Sequence, residues 1–338
     1  MTLIATIDPP TRAILANYTR DVESASWTAL GNAGGFSGAR LWRGQTADGR
    51  RLCLRAWPAG RMTEGRLRVI HHAMAHCKLS FVPELLKTMD GSTWLDVREQ
   101  FWEITTWMPG TADFHQKPTD ARLFAAMRAL AEIHHRLRPA HPVVAPCPAV
   151  ARILRAMREW RDLIQCGWKP DYDLPLSELI HLYARRAWDA VAVNAYSVEF
   201  SLAEWEARML PVQLCLCDVW HDHILYEGDR VTGVIDYGAV KSDCVATDLA
   251  RLLGSMIPDE PERMQMALAI YSAGQPVPGD VLKLVAVLDR AGSIVGLTNW
   301  LRWLYLDKKS YGDLTRVASR MEAMLKRVEK KKLTTPWS

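Results

Sequence analysis

The sequence predicts an α+β protein of two lobes, a small β-rich one followed by a larger, mainly helical one. Two observations carry this. Residues 27–108 read as short β-rich runs separated by turn signals, with one helical segment inserted, whereas beyond Pro109-Gly110 apolar residues recur with the 3.6-residue period of helices. A chain of 338 residues, 49% hydrophobic, can bury a large core and suits two domains better than one. The boundary is expected at the change of period, giving domains 1–107 and 108–338.

Taken in order, a short helical pattern over 11–21 opens the chain. Residues 41–44 and 52–57 flank Thr46-Ala47-Asp48-Gly49, whose Asp-Gly step signals a hairpin. A helix over 63–76 follows, then three strands over 82–89, 93–97 and 101–107. The second part holds helices over 121–137, 150–164, 177–192, 248–256, 263–273, 281–304 and 314–328. One β-rich island interrupts them, with strands over 212–217, 224–226 and 231–235 and a turn at Glu227-Gly228-Asp229.

Bulk chemistry excludes several classes. With 24% charged residues and a net charge of +4, the chain lacks the field that gathers nucleic acid or an anionic membrane. The lysine run at 326–332 reads as a solvated tail. Seven cysteines, scattered within apolar patterns, point to a reducing compartment, and Cys215 and Cys217 read as structural thiols on one face of a strand. Residues 1–10 lack the basic and apolar regions of a secretory signal. The apolar stretch 282–306 is broken by Asp289, Arg290 and Arg302, so it reads as a buried helix and not a membrane span. A cytoplasmic protein without membrane or nucleic-acid partners is expected; its oligomeric state is not readable.

Three constellations carry chemistry. In the island, Asp218 ends one strand, His223 lies five residues on, and Asp236 ends the next hairpin, so a carboxylate able to orient a hydroxyl and a pair able to hold a cation fall at strand ends. The segment Gly31-Asn32-Ala33-Gly34-Gly35-Phe36-Ser37-Gly38 precedes a strand hairpin and not a helix, which suits a lid whose N–H groups cover phosphates. Arg55 sits in an apolar strand, where alternation places it on the face of Cys53 and Trp57, a cation available to phosphate. Asp248 opens a helix and reads as a cap or as a brace for the loop at Asp218.

These residues resemble the aminoglycoside phosphotransferase and choline kinase-like family, a branch of the protein-kinase-like fold. The likeness covers most of the chain. The family's His-Gly-Asp-x-x-x-x-Asn loop matches Leu216-Cys217-Asp218 with His223, its Ile-Asp-aromatic-Gly matches Ile235-Asp236-Tyr237-Gly238, and its Asp-Leu-Ala matches Asp248-Leu249-Ala250. Leu130-Ala131-Glu132-Ile133-His134 and Trp107-Met108-Pro109-Gly110 look like its Leu-x-x-Leu-His helix and its hinge. The resemblance implies transfer of the terminal phosphoryl group of ATP or another nucleoside triphosphate to a hydroxyl on a small molecule. Asp218 would be the catalytic carboxylate, and His223 and Asp236 would hold Mg2+ or Mn2+. Gly34, Gly35, Ser37, Gly38 and Arg55 would meet phosphates, and backbone groups of Thr105, Thr106 and Trp107 the base. His223 stands where the family has Asn, which favours manganese, iron or zinc over magnesium. Arg55 stands where it has Lys, a planar fork in place of a point cation. The helix over 63–76 carries only one acid, Glu64, near its start. Two other readings use the same residues: an inactive member that binds nucleotide or metabolite, and a transition-metal protein or hydrolase in which His221 and His223 share one side of a strand.

Overall fold

The computed structural model describes residues 8–32 and 38–334. They form two compact units. The first is the chain up to Leu137 together with His221–Lys241; the second is Arg138–Trp220 together with the chain from Ser242 onward.

The first unit is built on an antiparallel sheet of order β1-β2-β3-β5-β4, from β1 (Ser26–Gly31), β2 (Arg40–Gln45), β3 (Arg51–Ala56), β4 (Leu95–Val97) and β5 (Gln100–Thr106). Gly49, at φ +86°, supplies the left-handed residue of the β2–β3 turn. The single helix expected over 11–21 is two, α1 (Pro9–Leu15) and α2 (Arg20–Glu23), because the Asn17 amide donates back to the Ala13 and Ile14 carbonyls and Thr19 restarts the chain as an N-cap. Ile14, Leu15 and Val22 from these helices and Tyr18 between them pack with Leu52, Leu54, Trp102 and Ile104 into one apolar core. Alternation along β3 then leaves Cys53 and Arg55 on the other face of the sheet.

Helix α3 (Glu64–Cys77) follows β3, started by Thr63, whose hydroxyl accepts from the Arg66 N–H. The strand expected over 82–89 is absent apart from one bridge, Leu85 to Thr105, since Pro83 offers no N–H to a ladder. Helix α4 (Asp120–Arg136) and the hairpin β8 (Ile224–Glu227) with β9 (Arg230–Val234) complete the unit. The compact units therefore do not divide at 107/108. Thr111 and Tyr226 exchange backbone hydrogen bonds at 3.1 and 3.0 Å, and the buried Arg122 of α4 lies 4.1 Å from the Tyr226 ring centroid. These contacts hold α4 and the segment that leads from β5 into it against the hairpin.

In the second unit a small sheet of order β10-β7-β6 joins β6 (Val143–Pro146), β7 (Met209–Cys215) and β10 (Lys241–Asp243), the last lying where the chain passes from one unit to the other. Around it run α5 (Pro148–Gln165), α6 (Glu178–Ala203), α7 (Ala246–Met256), α8 (Pro261–Gly274), α9 (Gly279–Leu301) and α10 (Leu314–Thr334). Cys215 is buried in β7, but Cys217 lies beyond the strand at φ +62°, so the two thiols do not share a strand face. The lysine run expected as a solvated tail continues α10 as helix to Thr334. No helix among the described residues is long and apolar enough to cross a membrane.

Candidate functional site

On the face of the first unit's sheet away from α1 and α2, the β3–β5 register sets Arg55 directly opposite Glu103. Their charged atoms are 3.8 Å apart, and the guanidinium lies 4.9 Å from the centroid of the Trp57 ring. Glu103 is 3% exposed. Its Oε2 accepts from the Trp57 indole N–H at 3.1 Å and from His71 Nε2 of α3 at 2.7 Å. Burial pushes the Glu103 carboxyl up, but the His71 bond, the Arg55 charge and the Trp57 bond together hold it below the usual carboxylate range.

Asp236 follows β9 in the left-handed region, at φ +65°. The Ile235 N–H donates to the His223 carbonyl at 3.0 Å, which draws the residue before Asp236 beside His223. His223 Nε2 and Asp236 Oδ2 are then 3.8 Å apart, and Arg55 lies 3.7 Å from Asp236 Oδ1. Desolvation raises the Asp236 carboxyl, yet Arg55, His223 and the Gly238 N–H outweigh it and lower it overall. A Cβ at Gly238 would stand 3.0 Å from the Trp57 ring and 3.3 Å from Asp236 Oδ1, so a side chain there would crowd both. Arg66 of α3 fixes the same turn by donating to the carbonyls of Gly238 and Val240 at 2.9 and 2.6 Å.

Thus three sequence-derived candidates, Arg55, His223 and Asp236, come together in the first unit. His221 does not join them. The stretch His221–His223 is a 3-10 turn and not a strand, so alternation fails. His221 packs its ring 4.2 Å from His115 and faces Asp222, while His223 faces Asp236. The two imidazoles therefore do not present the paired metal ligands that a strand would have offered.

Asp218 belongs to the second unit, three residues before the chain enters the first at His221. It forms an ion pair with Arg251 of α7. One turn earlier on α7, the buried Asp248 accepts from the N–H groups of Leu216 and Cys217 at 2.7 and 2.6 Å. One helix face thus braces the backbone before Asp218 and also contacts its carboxylate. Asp248 was legible as a possible brace. Arg251 was not assigned, although its i+3 spacing from Asp248 puts it on the same face.

The glycine segment does lie between antiparallel strands, β1 and β2. Gly34, Gly35 and Ser37 fall outside the described residues; Gly38, at φ +78°, is the described end of that segment. Thr105 bridges to Leu85, the Thr106 N–H donates to the Glu84 carbonyl, and the Trp107 N–H donates to the Arg51 carbonyl, each of the two N–H bonds 2.9 Å long. Those two N–H groups are engaged within the unit.

Residues 28–280 match the family described as Phosphotransferase enzyme family, three quarters of the chain. The chain belongs to that family. Membership makes it a phosphotransferase, the activity class expected from its motifs. Among solved structures it is similar to spectinomycin phosphotransferase in complex with ADP and spectinomycin, at TM-score 0.64 and 11% identity over 91% of this chain and 93% of that one. An aminoglycoside phosphotransferase from Alicyclobacillus acidocaldarius gives TM-score 0.56 and 16% identity, covering 97% of each chain. Amicoumacin kinase in complex with AMP-PNP, Ca2+ and Ami gives TM-score 0.59 and 13% identity over 97% of this chain and 93% of that one. No curated protein sequence matches. The fold is the expected kinase-like α+β one, with a β-sheet N-terminal region and a larger helical C-terminal part.

Proposed function

We propose that the chain transfers the γ-phosphoryl group of ATP to a hydroxyl on a small molecule, with Asp218 as the carboxylate that orients and deprotonates that hydroxyl. The acceptor oxygen forms the new bond to phosphorus, the bond to the bridging oxygen breaks, ADP leaves, and the acceptor proton passes to Asp218. The observation that carries the reading is the gathering of Arg55 and His223 around Asp236, at 3.7 and 3.8 Å from its two oxygens, in the first unit. A guanidinium next to a cation-binding pair is the donor set a polyphosphate requires.

His223 and Asp236 are the donors that would hold the ion. In an octahedral shell with bonds of about 2.1 Å, adjacent ligand atoms stand about 3.0 Å apart and opposite ones about 4.2 Å, so the pair, at 3.8 Å, would close by a few tenths of an ångström to become adjacent ligands of one cation. When bound there, a divalent cation supplies charge neutralisation of the phosphates. Asp236 is held ionised for that task by its neighbours. Arg55 meets phosphate oxygens, Gly38 ends the glycine segment assigned to the same phosphates, and the stretch Thr105, Thr106 and Trp107 flanks the base. Because the N–H groups of Thr106 and Trp107 are engaged, base recognition from those two residues falls to other atoms. The acceptor is of the class its relatives use, a hydroxyl-bearing small molecule. Amino alcohols, sugars and nucleosides are the library to screen.

The test is nucleotide consumption against that library, run separately with magnesium and manganese, comparing the wild type with Asp218→Asn. The wild type turns over with at least one acceptor; the variant loses turnover while its ATP affinity stays within a few fold. Undiminished turnover in the variant removes Asp218 from the mechanism. ATP binding by the wild type without turnover on any acceptor replaces this reading with an inactive nucleotide-binding member of the family.

A further inference from the structure

One carboxylate of the first unit has no role in the scheme above, and its surroundings assign it one. Arg55 has two acidic neighbours, Asp236 at 3.7 Å and Glu103 at 3.8 Å. They are not equivalent. The Asp236 side chain is 44% exposed, and its other oxygen faces His223. A cation held by Asp236 and His223 draws the Asp236 charge to itself. Glu103 then remains as the counter-charge of Arg55.

Helix α3 offers Arg55 no alternative carboxylate. Its only acid, Glu64, is exposed at the helix start and pairs with Arg68 one turn on. The helix contributes an imidazole in its place. His71 is 4% exposed and donates from Nε2 to Glu103, while its Nδ1 meets the Thr93 hydroxyl at 2.7 Å. The Trp57 indole N–H completes the hold on Glu103, and the Trp57 ring lies against the Arg55 guanidinium. Burying a carboxylate so fully costs free energy unless donors surround it, and here three side chains do. The β3–β5 register makes the Arg55–Glu103 separation a property of the sheet. A planar guanidinium held by this carboxylate's charge at 3.8 Å and stacked on the Trp57 ring at 4.9 Å has its orientation restricted from two sides.

We propose that Glu103, carried by a strand and not by α3, is the residue that positions Arg55 for the nucleotide's phosphates, with His71 as the strut joining α3 to that carboxylate. This rests on the phosphotransferase reading. Glu103 is a positioning residue: it acts through Arg55 and has no part in bond making.

The test is a double-mutant cycle read as the ATP dissociation constant, measured by calorimetry with manganese present, in wild type, E103Q, R55M and the double variant. Folding is checked by circular dichroism and thermal unfolding. E103Q weakens ATP binding about tenfold in the Arg55 background, the size expected for directly coupled residues. In the R55M background the same substitution changes binding less than twofold or strengthens it, because the guanidinium it served is gone. A role confined to packing predicts the same loss in both backgrounds, and that result overturns the proposal. So does an E103Q protein that binds ATP within twofold of wild type. Should E103Q fail to fold, His71→Gln takes its place in the same cycle: it keeps an N–H donor without the imidazole, and additivity with R55M again overturns the inference. A wild type that binds no ATP overturns the functional reading along with this one, whereas ATP binding with an additive cycle overturns this one alone.

Discussion

In the proposed site, His223 is the residue that would set the metal preference. Magnesium favours oxygen ligands in a tight octahedron, whereas manganese accepts imidazole readily. With Nε2 facing Asp236 at 3.8 Å, the donor pair is one nitrogen and one carboxylate oxygen. Turnover with manganese is therefore expected to exceed that with magnesium at equal concentration. His223→Asn should lower the manganese-to-magnesium rate ratio severalfold; an unchanged ratio means His223 is not a ligand. At this scale Arg55 was legible because it is a polar residue in an apolar strand, where its face follows from alternation, and His223 and Asp236 because they fall at hairpin ends in a recognisable spacing. Glu103 carried the same signal as the lone charge in Phe101-Trp102-Glu103-Ile104. What the sequence lacks is the pairing of β3 with β5, and without that register nothing joins Glu103 to a residue 48 positions earlier.

Among the elements, α7 does the most to shape the loop at Asp218. Asp248 accepts two backbone N–H bonds while fully buried, and the charge strengthens both. In Asp248→Asn only one amide atom can accept, and the other presents N–H groups to a donor. A cost of about 2 kcal/mol in unfolding free energy is expected. The rate constant of turnover should fall more than ATP affinity does, since the loop carries Asp218 and not the phosphate-facing residues. Urea unfolding and steady-state kinetics read the two effects, and wild-type kcat in a folded D248N protein would sever the link between brace and chemistry. Most long helices were legible from period alone, with α4, α5 and α9 off by a few residues at their ends, whereas α6, expected over 177–192, runs on to Ala203. The short strands β6 and β10, of four and three residues, were missed because so few residues hold no readable alternation. The opposite error, a strand over 82–89, arose where apolar composition mimicked a strand that Pro83 prevents.

For the whole molecule, the grouping of Arg55, His223 and Asp236 in one compact unit makes a thermal prediction. Ligand that binds only the folded state adds about 2.7 kcal/mol at a hundred times its dissociation constant. ATP with manganese should raise Tm by several degrees, chelation should reverse most of the rise, and Asp236→Asn should abolish it. A Tm unmoved by saturating ATP and manganese would sever nucleotide binding from these residues. The compact units also differ from the break expected at 107/108. Periodicity changes there, but compactness follows contacts, and the Thr111–Tyr226 bridge and Arg122 against Tyr226 join α4 and the segment before it to the β8–β9 hairpin.

By itself the sequence determined the order of elements, the kinase-like class and the polar residues at strand ends. Each of these is written in local terms: the period of apolar positions, turn chemistry and motif spacing along the chain. Only the tertiary structure decided which partners those residues keep. Glu103 for Arg55, His223 for Asp236 and Arg251 for Asp218 are cross-strand, cross-turn and loop-to-helix neighbours. Such pairings depend on register and packing, which join residues far apart in the chain and leave no periodic trace along it.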